Sequence, residues 1–371
     1  MEEKRIYFPH LKINGFKSLN DLQISQFSPI NLIAGDNNVG KSTLLEALYV
    51  LAAGEDMDIL RQIAYDRMGI IPEKMDFRVR RMIDKQQLLL PFFKDWKFEV
   101  GKLIHLQASE NQYLKLRLVC AYTTEEKNEN GVLKKTNYLG DSKQLSMVNE
   151  KLERGIYVQT ENKEFFYSLE GGFRFSENIP LINVQFIHTA FSLKSMNVRL
   201  WDNISLTGLE KYVIDALRII EPQIENLAFL EELPTSDYSV KTERVPYVSL
   251  KNRSERYPLS IMGDGMNRVL SIILGIINAK NGICLIDEIE NGIYYRRQSD
   301  LWKMISLLVK QLNVQLFATT HSLDCIRSFS LMAENDNAQL IRLEKRKNGP
   351  FAICYTSDDL KTALINEIEL R

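Results

Sequence analysis

Between residues 35 and 42 the chain reads Gly-Asp-Asn-Asn-Val-Gly-Lys-Ser, which fits the pattern G-x-x-x-x-G-K-S. An apolar run that predicts a strand comes before it, and a helical pattern follows at 42–53. Glycines let backbone N–H groups close around an anion at a helix N-terminus, where the helix dipole favours negative charge. Lys41 would neutralise the β- and γ-phosphates of a nucleotide, and Ser42 would bind Mg²⁺. The segment therefore predicts a Walker A loop whose ATP-binding residues are Gly35, Asp36, Asn37, Asn38, Val39, Gly40, Lys41, Ser42 and Thr43.

Two adjacent carboxylates, Asp287 and Glu288, follow the apolar run at 283–286. A continuous apolar run that ends in acids is typical of a buried parallel strand delivering side chains at its C-terminal edge. Asp287 is predicted to hold Mg²⁺ through water, and Glu288 to polarise the attacking water as general base. Alone, such a strand is common and a loop or capping role would explain it. Together with the glycine loop it predicts a Walker B strand.

Two further segments are predicted to approach the same sheet edge. The apolar strand at 314–320 ends at His321, for which we favour a γ-phosphate contact over a structural role. The small residues Gly263, Asp264 and Gly265 open an apolar helix and would leave N–H groups free for an anion. A plain turn with an N-cap would explain these three residues equally well.

The elements that position these residues follow from periodicity. Residues 10–34 predict two or three strands, and residues 55–95 have helical period. Residues 96–176 are strand-like, with turn compositions between the runs. Helical period returns at 205–231, and residues 237–258 predict a hairpin. From 259 onward strands alternate with helices of ten or more residues, which implies a parallel sheet. The predicted fold class is an α/β P-loop NTPase with a mostly parallel sheet flanked by helices and an antiparallel β-rich insertion. The predicted organisation is a core in two parts, 1–54 and 259–371, separated by an inserted helical and β-rich region, 55–258.

Composition excludes several classes of protein. Hydrophobic residues make up 45% and charged residues 26% of 371, as in folded globular chains. The net charge of -1 gives no global excess of positive charge for nucleic acid, although a local basic face stays possible. The four cysteines are widely spaced and predict reduced thiols in a cytoplasmic protein. We expect neither a signal peptide nor a membrane span, because the apolar run at 269–277 is too short.

The order of four motifs resembles a known family. GDNNVGKS at 35–42, IMGDGMNR at 261–268, ICLIDEIENGIYY at 283–295 and LFATTHS at 316–322 are similar to ABC-type ATPases related to the ATPase half of OLD (overcoming lysogenization defect) proteins. These form the AAA15/AAA21 group, which is found in two-gene anti-phage defence systems. The run INGFKSL at 13–19 is similar to the first strands of this family and of RecF, Rad50 and SMC heads.

The resemblance implies a homodimer, or a higher assembly of dimers, with two ATPs at the interface. His321 becomes the switch histidine, and Lys41, Glu288 and His321 become the catalytic residues. The signature loop would be Gly263, Asp264 and Gly265, and it would reach the γ-phosphate bound to the other protomer. The D-loop would be Glu290, Asn291 and Gly292, and it would cross between the subunits. Gln185 is the candidate Q-loop glutamine, with a buried strand residue as the alternative. The signature lacks the usual serine, so slow hydrolysis is expected.

Three functions follow from these motifs. The first is an ATPase that senses a trigger and regulates a separate effector, such as a nuclease or toxin, because the chain after Ser322 is too short for a TOPRIM fold. The second is a RecF- or Rad50-like DNA-binding repair ATPase, for which Arg78, Arg80, Arg81 and Lys85 supply a local basic cluster. A solvated helix face would explain that cluster as well. The third is a nucleotide-locked scaffold with little turnover.

Overall fold

The computed structural model describes residues 6–70, 84–128, 131–141, 143, 151–170, 180–189, 193–231, 244–333, 338–346 and 349–370. Arg78, Arg80 and Arg81 of the predicted basic cluster lie outside these residues, while Lys85 is buried and donates to the carbonyl of Ser168. Among the described helices, none is long and apolar enough to cross a membrane.

Among the described residues before 190, the chain forms nine strands and three α-helices. They are β1 (Leu11–Asn14), β2 (Leu22–Ile24), β3 (Ile30–Gly35), α1 (Lys41–Ala53), α2 (Asp58–Met68), α3 (Lys85–Leu89), β4 (Leu103–Ser109), β5 (Gln112–Asn128), β6 (Gly131–Leu139), β7 (Glu153–Gln159), β8 (Glu164–Ser168) and β9 (Val184–Ile187).

The second half contains α4 (Leu193–Ile204), α5 (Glu210–Ile220), β10 (Ile224–Glu231), β11 (Arg244–Leu250), β12 (Arg256–Pro258), α6 (Asp264–Asn278), β13 (Ile283–Ile286), α7 (Gln298–Leu312), β14 (Gln315–Thr319), α8 (Leu323–Ala333), β15 (Ala338–Arg346), β16 (Gly349–Tyr355) and α9 (Ser357–Ile365). Helix α9 begins with a capping box between Thr356 and Asp359, and the sequence analysis did not predict it.

Three sheets organise these strands. The core sheet has the order β16-β15-β3-β14-β13-β9, in which all pairs are parallel except β16 with β15. An antiparallel sheet has the order β2-β1-β4-β5-β7-β8, with β6 paired to β5. A third, smaller sheet joins β10, β11 and β12. The chain therefore has the predicted fold class, a mostly parallel P-loop sheet with an antiparallel β-rich part.

The predicted division at residues 54 and 258 does not coincide with sheet membership. Strand β9 lies inside 55–258, yet it pairs in parallel with β13 of the core sheet. Strands β1 and β2 lie inside 1–54, yet they belong to the antiparallel sheet. Strand pairing depends on which segments meet in space, so a linear division into core and insertion does not separate the two sheets.

The predicted helical period at 205–231 is wrong after residue 220. Helix α5 ends at Ile220, and residues 224–231 form strand β10. Pro222 explains the break, because the residue before a proline is disfavoured in the helical region, and Glu221 has an extended backbone with φ −133° and ψ 94°. Leu227 and Phe229, two residues apart on that strand, are then both buried.

The core sheet buries a hydrophobic cluster on each face. Leu44 and Leu48 of α1 pack together with Ile33 of β3 and with the inner side of the antiparallel sheet. On the opposite face Leu32 packs with residues of α4, α5, α6, α7 and α8. Since side chains alternate along a strand, β3 contributes to both clusters and is held firmly at the centre of the sheet. Its C-terminal end is the start of the glycine loop.

Candidate functional site

Three parallel strands bring the predicted site residues to one edge. β14 lies between β3 and β13, so the ends of all three strands meet at the carboxyl edge of the core sheet. The glycine loop follows β3, Asp287 follows β13, and His321 follows β14. In open parallel sheets this edge is where ligands bind.

The glycine loop has the backbone that its sequence predicts. Gly35 has φ 142°, and a Cβ there would lie 2.5 Å from the carbonyl oxygen of Leu343, so no other residue fits. Lys41 Nζ donates to the carbonyl oxygens of Gly35 at 2.7 Å and of Asp36 at 3.0 Å. Burial lowers the pKa of Lys41, and nearby carboxylates, Asp287 foremost, partly offset that effect. The lysine therefore sits over the loop at the N-terminus of α1.

A chain of short hydrogen bonds joins the loop to the end of β13. Ser42 Oγ donates to Asp287 Oδ1 at 3.0 Å, and Thr319 Oγ1 donates to the same oxygen at 2.6 Å. A hydroxyl and a carboxylate oxygen are hard donors of the kind that Mg²⁺ prefers. Among the described residues no group of three or more His, Cys, Asp or Glu side chains could hold a metal alone. Mg²⁺ usually takes one or two carboxylates together with water and phosphate oxygens.

Thr319 also fixes Glu288. The backbone N–H of Glu288 donates to Thr319 Oγ1 at 2.8 Å, and Glu288 has φ 47°, a left-handed conformation that is uncommon outside glycine. One buried hydroxyl therefore sets the position of both acids that follow β13. The sequence analysis included Thr319 only as the end of a strand. A hydroxyl residue at the end of the strand beside Walker B was the available signal.

Glu290 and His321 form a second pair beside this chain. His321 N–H donates to Glu290 Oε1 at 2.9 Å, and His321 Nδ1 lies 3.3 Å from the same oxygen. Glu290 is buried, whereas the His321 side chain is 51% exposed. Glu290 Oε2 is buried and has no hydrogen-bond partner among the described residues. Glu290 was predicted as part of the D-loop, but in this chain its carboxylate anchors the predicted switch histidine.

Arg268, in the first turn of α6, closes the ends of two strands. Its Nη1 donates to the carbonyl of His188 at 2.9 Å, and its Nη2 donates to the carbonyls of Asp287 at 2.6 Å and Glu288 at 3.3 Å. Burial lowers the pKa of Arg268, and the carboxylates of Asp287, Glu288 and Glu290 act against that shift. The guanidinium stays charged, because arginine is not deprotonated in proteins. Arg268 is therefore a buried cation beside these acids, and the sequence analysis did not assign it a role.

Gln185 is not brought to this edge. It pairs with Cys284 in the middle of β13, whereas Ile187 pairs with Ile286 at the end. The next residue, His188, therefore lies beside Asp287, and its Nε2 lies 3.2 Å from Oδ2 of Asp66. Gln185 therefore lies within the strand, in line with its alternative interpretation as a strand residue, and its Q-loop role stays a prediction.

The predicted signature and D-loop residues touch each other. A Cβ on Gly265 would lie 2.6 Å from the carbonyl oxygen of Gly292, so only glycine allows this approach. In the predicted signature loop Gly263 is exposed with φ 101°, and Asp264 is the first residue of α6. In the predicted D-loop the N–H of Asn291 donates to the carbonyl of Glu288 at 3.0 Å. The two loops therefore form one continuous surface.

Exposed apolar side chains border the surface that these two loops form. Ile261 is 68% exposed, and Tyr294 and Tyr295 are exposed with their rings 4.7 Å apart. Large apolar side chains that cluster on an exposed surface indicate an interaction site.

Comparisons with known proteins show what this chain is similar to. The model of the AAA ATPase domain family (AAA_15) matches residues 9–187 and 191–326. An ATP/GTP phosphatase of Helicobacter pylori is 24% identical over 358 residues, 90% of each chain. The DNA replication and repair protein RecF of Coxiella burnetii is 40% identical over 48 residues, 13% of each chain. Among solved structures, an SMC head bound to the C-winged helix domain of ScpA is 12% identical with a TM-score of 0.49, covering 97% of this chain and 100% of that one.

Proposed function

Because this chain belongs to the AAA ATPase domain family, we propose that it binds Mg-ATP in the loop at 35–42 and hydrolyses it. The observation that carries the proposal is the hydrogen-bonded chain Ser42, Asp287, Thr319 and Glu288, which links the phosphate loop to the predicted base. The name of the Helicobacter pylori relative, ATP/GTP phosphatase, supports the same activity.

The residues divide the work of hydrolysis. Mg²⁺, held by Ser42 and Asp287, would neutralise phosphate charge. Lys41 compensates the β- and γ-phosphates from the N-terminus of α1. Glu288 accepts a proton from the attacking water, and its backbone is held for this by Thr319. His321, anchored through Glu290, contributes a γ-phosphate contact from the exposed side of the edge.

The proposal is tested by comparing two variants. Glu288→Gln removes the base but keeps Lys41 and the Mg²⁺ ligands, so it should bind ATP like the wild type and turn over about 100- to 10,000-fold more slowly. Lys41→Ala should lose ATP binding itself, because phosphate charge is left uncompensated. Equilibrium binding of a fluorescent ATP analogue and phosphate release are measured on both variants. Wild-type turnover by Glu288→Gln would remove Glu288 from the catalytic role.

ATP is further proposed to close a homodimer. The loop at 263–265 would reach the γ-phosphate bound to the other protomer, as the family resemblance implies. The exposed apolar side chains of Ile261, Tyr294 and Tyr295 beside this loop would contribute apolar surface to a self-complementary contact. A two-fold axis would bury the same patch on both protomers.

The dimer is tested in the Glu288→Gln background, where ATP is retained. That protein should double in mass with ATP in light scattering, and adding Ile261→Asp should keep it monomeric. Leu331→Asp is the matched control, because Leu331 on α8 is 66% exposed against 68% for Ile261. Dimerisation of the Ile261→Asp protein would remove this patch from the interface.

The biological role is proposed as regulation of a separate effector, a nuclease or toxin, in anti-phage defence, on the resemblance of the four motifs alone. Affinity purification of the Glu288→Gln protein from native cells tests it. Reproducible recovery of one nuclease or toxin supports the role, and recovery of a DNA-repair complex contradicts it.

The RecF- or Rad50-like repair role is the second candidate, favoured by the 40% identity with RecF over 48 residues. A nucleotide-locked scaffold is the third, and retention of ATP by the wild type without phosphate release would favour it.

A further inference from the structure

The outer face of the antiparallel sheet carries a pattern of its own. Along β4 and β5 buried residues alternate with partly exposed ones, and the buried set packs toward α1. Register brings the outward residues into rows: Asn14 lies opposite His105, which lies opposite Lys115, and Lys12 lies opposite Gln107. Side chains from several strands thus form one surface.

The centre of this face is positively charged. Lys12, Lys115 and Arg117 point outward, and none of the three makes an ion pair with a described residue. No carboxylate occurs among the outward residues of β1 and β4, or of β5 between 113 and 119, whereas on β8 Glu164 accepts hydrogen bonds from Tyr157 and Gln159. The pKa of His105 is lowered by burial and further by the charges of Lys115 and Lys12, which reports a positive potential at this point.

Aromatic rings alternate with these cations. The Tyr113 ring lies 5.1 Å from Lys115 Nζ and meets His105 edge-on at 6.5 Å. Next to Arg117 across the β5–β7 pair is Tyr157, whose ring lies 5.1 Å from that of Tyr138. The Tyr138 ring also lies 5.5 Å from that of Phe166, and the residue is still 42% exposed, so part of it is accessible to a ligand.

We propose that this basic-aromatic face, defined by Lys12, His105, Tyr113, Lys115, Arg117 and Tyr138, binds single-stranded nucleic acid. The cations would contact backbone phosphates, and the rings would stack on bases that a duplex keeps inside its helix. The cations of this face lie on β1 and β5, two strand spacings or about 10 Å apart, and the rings of Tyr138 and Tyr157 extend the face beyond β5. An acidic peptide would use the cations but leave the rings without a role. The proposal does not rest on ATP hydrolysis.

The test measures anisotropy of labelled dT20 and U20 as a function of salt. Lys115→Gln with Arg117→Gln should raise Kd at least about tenfold and reduce the salt slope by about 1.4, because two phosphate contacts are lost. Tyr138→Ala should raise Kd about fivefold or more with an unchanged slope, since stacking is worth about 1–3 kcal/mol per base. The control is Lys303→Gln with Lys310→Gln, which removes the same charge from exposed positions on α7. It should leave Kd unchanged.

Other arms of the experiment identify the ligand. Binding of dT20 alone, U20 alone or both supports the proposal and tells DNA from RNA. Equal or tighter binding of a 20-base-pair duplex, or equal binding of a polyglutamate peptide, overturns it, as does absence of binding in 50 mM salt. ATP binding measured on each preparation verifies that the variants are folded. ATP binding and nucleic-acid binding are measured separately. A variant that loses only nucleic-acid binding therefore reports on the sheet face, and one that loses only ATP binding reports on the ATPase site.

Discussion

Thr319→Val would remove one hydroxyl and disconnect both acids at the end of β13. The side chain is fully buried, donates to Asp287 Oδ1 at 2.6 Å and accepts from Glu288 N–H at 2.8 Å. Valine keeps the shape but leaves that partly buried N–H without an acceptor, which costs about 1–3 kcal/mol. Asp287 keeps Ser42 as a donor, so the expected total is about 2 kcal/mol.

This loss has measurable consequences for stability and catalysis. An unfolding entropy of about 0.8 kcal/mol/K for 371 residues converts about 2 kcal/mol into a fall in Tm of about 2–3 °C. Because Glu288 loses the bond that holds its left-handed backbone, phosphate release should fall about 10- to 100-fold, with ATP binding in EDTA unchanged. Thr319→Ser, which retains the hydroxyl, is the control and should behave like the wild type. Equal loss in Thr319→Ser and Thr319→Val would refute the reasoning, because the hydroxyl would then not matter.

Three further predictions concern other parts of the molecule. Burial lowers the pKa of Lys17 from 10.5 to about 8. Between pH 8 and pH 10.5 the unfolded chain therefore holds a proton on Lys17 that the folded chain has released. The free energy of unfolding accordingly rises with pH in this range. Urea titrations at pH 8 and 10.5 should show a smaller rise for Lys17→Met than for the wild type; an equal rise contradicts the assignment. Gly265→Ala should lower ATP-dependent association, because its Cβ would press on the carbonyl of Gly292 at 2.6 Å, and wild-type association would show that the two loops separate freely. Cys354 is exposed while the other three cysteines are buried, so maleimide should modify one thiol in the native protein and four in urea, as mass spectrometry can count.

Local sequence determined the elements and the loop chemistry. The glycine loop, the apolar strand before Asp287 and the helix α1 each depend on contacts within about ten residues, and periodicity and residue type report such contacts directly. The end of α5 also depends on local sequence, because Pro222 disfavours a helical backbone at Glu221. The helical prediction beyond that proline is therefore wrong.

Only the tertiary structure decided which side chains meet. Arg268 reaches the carbonyls of His188 and Asp287, which follow β9 and β13 and are distant from each other in sequence. Thr319 contacts both Asp287 and Glu288 from a neighbouring strand. His188 follows β9 only three residues after Gln185, yet parallel register with β13 puts His188 at the edge of the sheet and leaves Gln185 within the strand. Sequence patterns give the period of a strand but not its neighbours or its register. Those are set by packing of both sheet faces against helices, and they fix the hydrogen bonds that orient the site.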